Sequence, residues 1–304
     1  MAIEVKTPFV LEQAGGSGPA FLLDSRFCAG NVFFVQSTHA NKGDTVGRGR
    51  TPNQPFATID YAVGNCAANQ GDVIVVLPSH VETITAAAGL DLDVAGITIL
   101  GIGTGRSRPK IDFTTATTAD LDVDAANIKI ENIYFDLTSI DALAAPIDVN
   151  AADFVLSNCE LETADASGQC TLAILTDAAA DRLTIENCIF HGSTDAGTAA
   201  AIRIVGGNAH RIVGNSFQGN YTTTLGAIDN ATTPCTNAII NKNRINNRTA
   251  SSAKAMTFQA TSTGQISENH MQILTGTAPI GGADMSWVGA NYYAATIAVA
   301  GTLI

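Results

Sequence analysis

One short phrase recurs along the chain. It reads "ANIKIENIYFD" at 126–136, "ADFVLSNCELE" at 152–162, "DRLTIENCIFHG" at 181–192, "AHRIVGNSFQG" at 209–219, "NAIINKNRINN" at 237–247 and "GQISENHMQIL" at 264–274. Aligned on the repeated asparagine, the positions are Asn132, Asn158, Asn187, Asn215, Asn243, Asn269 and Asn291, spaced by 26, 29, 28, 28, 26 and 22 residues. Gly101 holds the same slot 31 residues before Asn132. Gly and Asn enter left-handed backbone most readily, so the shared slot predicts one bend per period.

Alternating segments precede each bend, with Ile128 and Ile130, Phe154 and Leu156, Leu183 and Ile185 on one side of a strand. A second alternating strand lies further upstream, where Leu90, Leu121, Ile147 and Ile174 advance with the bends. Two such series in step predict a β-solenoid whose coils stack about 4.8 Å apart and bury a column that no coil covers alone. About eight coils from Gly71 onward give a rod roughly 40 Å long. Composition agrees: 46% of residues are hydrophobic but only 6% aromatic and 14% charged, a balance of small and β-branched residues suited to stacked strands.

The segment "FFVQSTHANKGDTVGRGRTPNQPFATIDYAVGNCAANQGDVIVVLP" (33–78) has a strand, a Gly/Asp loop, "PFATI", a helix, then "GD" and an apolar strand. This order resembles the opening module of right-handed parallel β-helix proteins of the pectate-lyase-like group, and the resemblance runs over about 31–304. More narrowly, it is similar to the β-helix proteins of tailed-phage virions, often encoded among head genes. "PSHVET" (78–83) stands where the pattern has Pro-Gly followed by Tyr and Glu. The expected class is therefore all-β, a single right-handed parallel β-helix with an N-terminal capping helix. Residues 1–30 form an extended arm, 31–70 a leading strand, loop and helix, and 71–304 the β-helix.

Pro55 is expected in the first helical turn, and Phe56, Ile59, Ala62, Val63 and Cys66 on the face that lids the rod. The C-terminal "YYAATIAVAGTLI" shows no equivalent cover, so a final coil is either left bare or covered by another chain; phage β-helix proteins usually trimerise, and the resemblance favours the second and implies a homotrimer. The arm carries two apolar triplets, Phe9, Val10, Leu11 and Phe21, Leu22, Leu23, joined by a Gly/Ser stretch. They are read as a capsid- or partner-binding element acting by strand addition or hydrophobic anchoring, the alternative being a strand folded back along the rod.

Chemistry is sparse. Asp91, Asp122, Asp148 and Asp177 each stand ten residues ahead of the bend and predict an outward acidic column, with Asp93 and Asp124 as a second. Stacked carboxylates raise one another's pKa, and Ca²⁺ takes such oxygens. A solvated face is the plainer account, and no cofactor is expected. One or two rungs match a glycosidase pair in separation. Against that stand the single Trp287, connections too short to wall a cleft, and scattered Lys129, Arg182 and Arg203. "GIGTGRS" (101–107) opens no helix and reads as turn residues. The five histidines do not cluster, and the six cysteines form no CxxC pair, so buried thiols in a reducing cytoplasm are expected.

A net charge of −12 argues against nucleic acid. No segment reads as a secretory signal or a membrane span. The expected function is a non-enzymatic structural phage virion protein, a capsid decoration or head-fibre protein on the capsid exterior, made in the host cytoplasm and bound to the major capsid protein or another head protein. The alternative is a tailspike-like protein that binds or depolymerises host surface polysaccharide.

Overall fold

The computed structural model describes residues 30–164, 168–195, 197–222, 224–230, 232–249, 253–274, 278–282 and 287–294, with strands at 9–11, 21–23 and 302–303. Short strands wind into three sheets, two of ten strands and one of eight, and each complete coil adds one strand to each. Nearly every neighbour pairs in parallel, as at Ile130 beside Ile99 and Leu156 in the first sheet, or Phe135 beside Ile111 and Leu161 in the second. In the third sheet Leu90, Leu121, Ile147 and Ile174 are successive partners, the series expected from their spacing. The result is an all-β parallel solenoid with almost no helix.

Alternation builds the core. Phe113, Phe135, Phe154, Phe217 and Phe258 and a long series of Ile, Leu and Val point inward and are buried along one continuous column. At about 25 cal/mol per Å² of apolar surface removed from water, that column is the main stabilising term. Four of the five described cysteines are buried and all five are free.

The lid is shorter than the sequence suggests. The helix is Ile59–Val63, with Ile59, Ala62 and Val63 buried against the core, while Cys66 is only half-buried. Thr58 is the N-cap, its hydroxyl accepting from Tyr61 N–H, so Pro55 lies outside the helix and not in its first turn. A buried pair fixes the lid to the first coil. Glu82 accepts from Ile59 N–H at 2.8 Å and contacts His80 Nε2 at 2.9 Å, while His80 Nδ1 accepts from Ser37 N–H at 2.9 Å. Ser79, at the position where the resembled pattern has Gly, holds a left-handed conformation at φ 63°.

The bends require a correction. The left-handed corner between the first and second sheets is occupied by Asn132, Asn158 and Asn187, with φ 58°, 55° and 55°. Strand register then places Gly214, Lys242, Glu268 and Ala290 in that corner, and these carry the positive φ. Asn215, Asn243, Asn269 and Asn291 stand one residue later, pointing inward in the column that holds Ile133, Cys159 and Cys188 in earlier coils.

Buried amides in that column must be satisfied by one another, and they are. The side-chain Oδ1 of Asn243, Asn269 and Asn291 each accepts the backbone N–H of the preceding asparagine at 3.0 Å. Each Nδ2 reaches back to a carbonyl: Asn215 to Ile185, Asn243 to Ile212, Asn269 to Ile240 and Asn291 to Ile266, at 2.8–3.0 Å. Gly101 is not a left-handed corner either. It continues a strand (Thr98–Gly101), and its lack of a side chain admits the Asn132 carbonyl, which a Cβ would meet at 2.3 Å.

Candidate functional site

Two polar surfaces stand out on the rod, one on the third sheet and one on the second. On the third, Asp91, Asp122 and Asp148 are register partners facing outward, as their spacing implies, because Leu92, Val123 and Val149 fill the core. Asp177 is not in that column. Leu175 pairs with Asp148, and Thr176 takes the inward position beside Val149, so Asp177 falls two residues on. The fixed ten-residue offset fails because the turn that leads from this strand to the first sheet is two residues longer, 177–183 against 150–154 in the preceding coil.

The three aligned carboxylates are crowded. Asp122 is pushed up to about 6, first by burial and then by the charges of Asp120, Asp148, Asp124 and Asp91. Asp91 and Asp148 are raised as well, again chiefly by burial and then by neighbouring carboxylates. One oxygen each of Asp91 and Asp122 is buried without a hydrogen-bond partner. Among the described residues no group of three or more His, Cys, Asp or Glu side chains is placed to hold a metal ion. Further along the same column the charge is compensated, as Arg203 Nε meets the buried Asp229 carboxylate at 2.7 Å.

The second surface was not foreseen. A groove of about 560 Å³ opens on the second sheet between the turn at Ser79 and the short 3₁₀ turn Gly105–Ser107. Short connections were expected to leave no cleft; here two tight turns suffice to wall one. The "GRSRPK" loop supplies Arg106, Arg108 and Lys110, and the following coils supply Tyr134, Glu160 and Glu162. Strand register explains the gathering: Lys110, Tyr134 and Glu160 are successive partners, and so are Asp112, Asp136, Glu162 and His191.

The groups in the groove are tied to one another. Arg108 Nη1 meets Glu160 Oε2 at 3.0 Å, and His191 Nε2 lies 3.2 Å from Glu160 Oε1. Lys110 Nζ bridges Asp136 at 3.0 Å and Asp112 at 3.3 Å, and the Tyr134 hydroxyl donates to Glu162 at 2.7 Å. Burial pulls the Lys110 pKa down, but the bonds and charges of Asp136 and Asp112 outweigh it and hold the ammonium above its ordinary value. Burial, followed by the bond to Glu162 and nearby carboxylates, holds the Tyr134 phenol well above its own. Neither group is poised as a base near neutral pH, which is what proton abstraction requires. The Arg108 Nε is buried and without a partner, and Arg106 is exposed at the rim.

The remaining candidates lie elsewhere. Lys129, Arg182 and Arg203 stay apart from the groove, each beside its own carboxylate. Trp287 continues the first sheet in the strand Trp287–Gly289, and its side chain lies outside the described residues. The strands Phe9–Leu11 and Phe21–Leu23 pair antiparallel with each other; the rest of the expected arm before Gly30, and most of the C-terminal stretch after Ala294, lie outside the described residues.

A family model described as "Right handed beta helix region" matches residues 119–279, more than half of the chain. Among solved structures, a rhamnogalacturonan lyase is similar at 13% identity, with 88% of this chain and 86% of that one covered and a TM-score of 0.32. ORF18 of Geobacillus virus E2 is similar at 11% identity, with 91% of this chain and 66% of that one covered and a TM-score of 0.31. No curated protein matches the sequence.

Proposed function

Because the chain belongs to the right-handed β-helix family, a fold that hosts unrelated activities, we propose from its own residues that it is a non-enzymatic structural component of a phage particle. In this reading it is a capsid decoration or head-fibre rod, homotrimeric, on the outer surface and fixed to a capsid protein through its N-terminal end. The observation that carries the mechanical part is the uninterrupted stack. Three sheets continue in register from the first coil onward over one buried column. The virion part rests on the resemblance of the module at 33–78. A net charge of −12 suits an outer surface and disfavours packaged DNA.

The test is location. Purified particles analysed by mass spectrometry and cryo-electron microscopy should contain the chain at the shell exterior. Deleting residues 2–24 should leave a folded rod that no longer decorates. Absence from particles overturns the virion reading; decoration by the truncated chain overturns N-terminal attachment.

A second reading, binding of host surface polysaccharide, is favoured by the groove. Its guanidinium groups, carboxylates and Tyr134 ring offer donors, acceptors and an apolar plane together. Incubation with capsule or lipopolysaccharide separates the readings. New reducing ends or unsaturated products mean an enzyme, and retention lost in Arg108→Ala with Lys110→Ala means a binding groove.

A further inference from the structure

The first sheet carries an apolar patch on its outer side. Phe33 and Val35, Ile74 and Val76, and Ile99 turn to the core, so the alternate residues Phe34, Val73, Val75 and Leu100 stand outward. Yet Phe34 is only 2% exposed, Val73 4% and Val75 1%. With half-buried Val32, Leu77, Leu100 and Ile102 they form a second apolar cluster, separate from the core. The patch ends abruptly. In the next coil the same outward columns hold Lys129 and Glu131, and two coils later Thr184 and Glu186.

We propose that this patch is the seat of the chain's own N-terminal ribbon, the antiparallel pair Phe9–Leu11 and Phe21–Leu23. The ribbon fits in reach. Gly30 N–H donates to the Gly71 carbonyl and Asn31 N–H to the Asp72 carboxylate, so the chain joins the sheet at the border of the patch, beside Val32 and Val73. Six residues separate Leu23 from Gly30, which span up to about 20 Å. The patch covers three rungs, roughly 10 Å.

The ribbon also fits in chemistry. Phe9 pairs with Leu23 and Leu11 with Phe21, and the two-residue period places these four on one face. Neither triplet contains a charged residue. An isolated two-stranded ribbon is marginal in water and needs a surface to pack on, and Phe34, Val73 and Val75 are shielded from solvent although they face away from the core. The chain's own ribbon, six residues from that sheet, supplies such a cover. This seating belongs to the isolated protein and goes beyond the reading of it as a virion component.

The test uses the full-length chain in the absence of particles. Leu11→Cys combined with Val75→Cys, mildly oxidised and mapped by peptide mass spectrometry, should give a bond between positions 11 and 75 within one chain. In parallel, Phe9→Asp with Leu11→Asp should raise the fluorescence of an apolar dye several-fold without unfolding the rod. A 11–75 bond between chains assigns the patch to a second copy and overturns the proposal. So does the absence of any 11–75 bond, or dye binding unchanged by the aspartate pair.

Discussion

Asn243 and Asn187 occupy the same place in the repeated phrase but two different places in the coil, and replacing each by alanine should reveal the difference. Asn243 is fully buried. Its Oδ1 accepts from the Asn215 backbone N–H at 3.0 Å and from Asn215 Nδ2 at 3.1 Å, and its Nδ2 donates to the Ile212 carbonyl at 2.8 Å. Asn243→Ala leaves two buried donors without an acceptor; at about 1–3 kcal/mol each, the loss is about 4 kcal/mol. Asn187 is exposed at a left-handed corner with φ 55°. There alanine removes no buried bond and adds only the left-handed penalty, about 1 kcal/mol. For a chain of this size, scanning calorimetry should show Asn243→Ala lowering Tm by roughly 8 °C and Asn187→Ala by roughly 2 °C. If unfolding is irreversible, unfolding rates at fixed temperature replace Tm. Combining Asn243→Ala with Asn269→Ala should fall short of additivity, because the two share bonds. Equal losses for Asn243→Ala and Asn187→Ala, within 1 kcal/mol, would refute the division of the asparagines into corner and column.

Other expectations follow the same geometry. Asp122, held at about 6, keeps its proton longer in the fold than in the unfolded chain. Stability should therefore fall as pH rises from about 4 to about 6 and then level off, and Asp122→Asn should gain about 1 kcal/mol at pH 7 but nothing at pH 4 once solvent screening is allowed for; denaturant titrations at both pH values check it. Lys242 holds a left-handed conformation at φ 57°, so Lys242→Gly should stabilise by about 1 kcal/mol in the same assay. Gly101→Ala drives a Cβ against the Asn132 carbonyl and should cost about 1–3 kcal/mol, read by thermal unfolding. Glu82→Ala strips Ile59 N–H and His80 of their shared acceptor and should speed amide exchange over 56–66 before the rest of the rod.

The solenoid itself was legible because two residue series kept a common step, and only stacked coils impose that on residues 26 to 31 positions apart. The corner assignment failed because asparagine serves two purposes here. It tolerates left-handed backbone, and its amide satisfies buried backbone groups from inside the column. The phrase carries a signal that separates them. Phe135, Leu161 and Phe190 follow their asparagines by three residues, whereas Phe217, Ile245 and Met271 follow by two. Since these six are inward partners in one sheet, the asparagine before the last three must sit one place nearer and face the core.

The groove was out of reach for a different reason. Arg108, Tyr134 and Glu160 are about one coil apart in sequence, and nothing local links "GRSRPK" to "ENIYFD" or "SNCELE". They meet because the second sheet runs Lys110, Tyr134, Glu160 on one outward line and Asp112, Asp136, Glu162 on the next. Placing them needs the second-sheet register, and the sequence reading fixed only the first and third. The acidic column, in contrast, lies on the third sheet, so the spacing puts Asp91, Asp122 and Asp148 on one line, and only Asp177 is lost, to a turn two residues longer. On a solenoid a side chain's neighbours are set by strand register one coil away, so one slipped residue in a coil reassigns a whole line of surface chemistry while leaving the buried column intact.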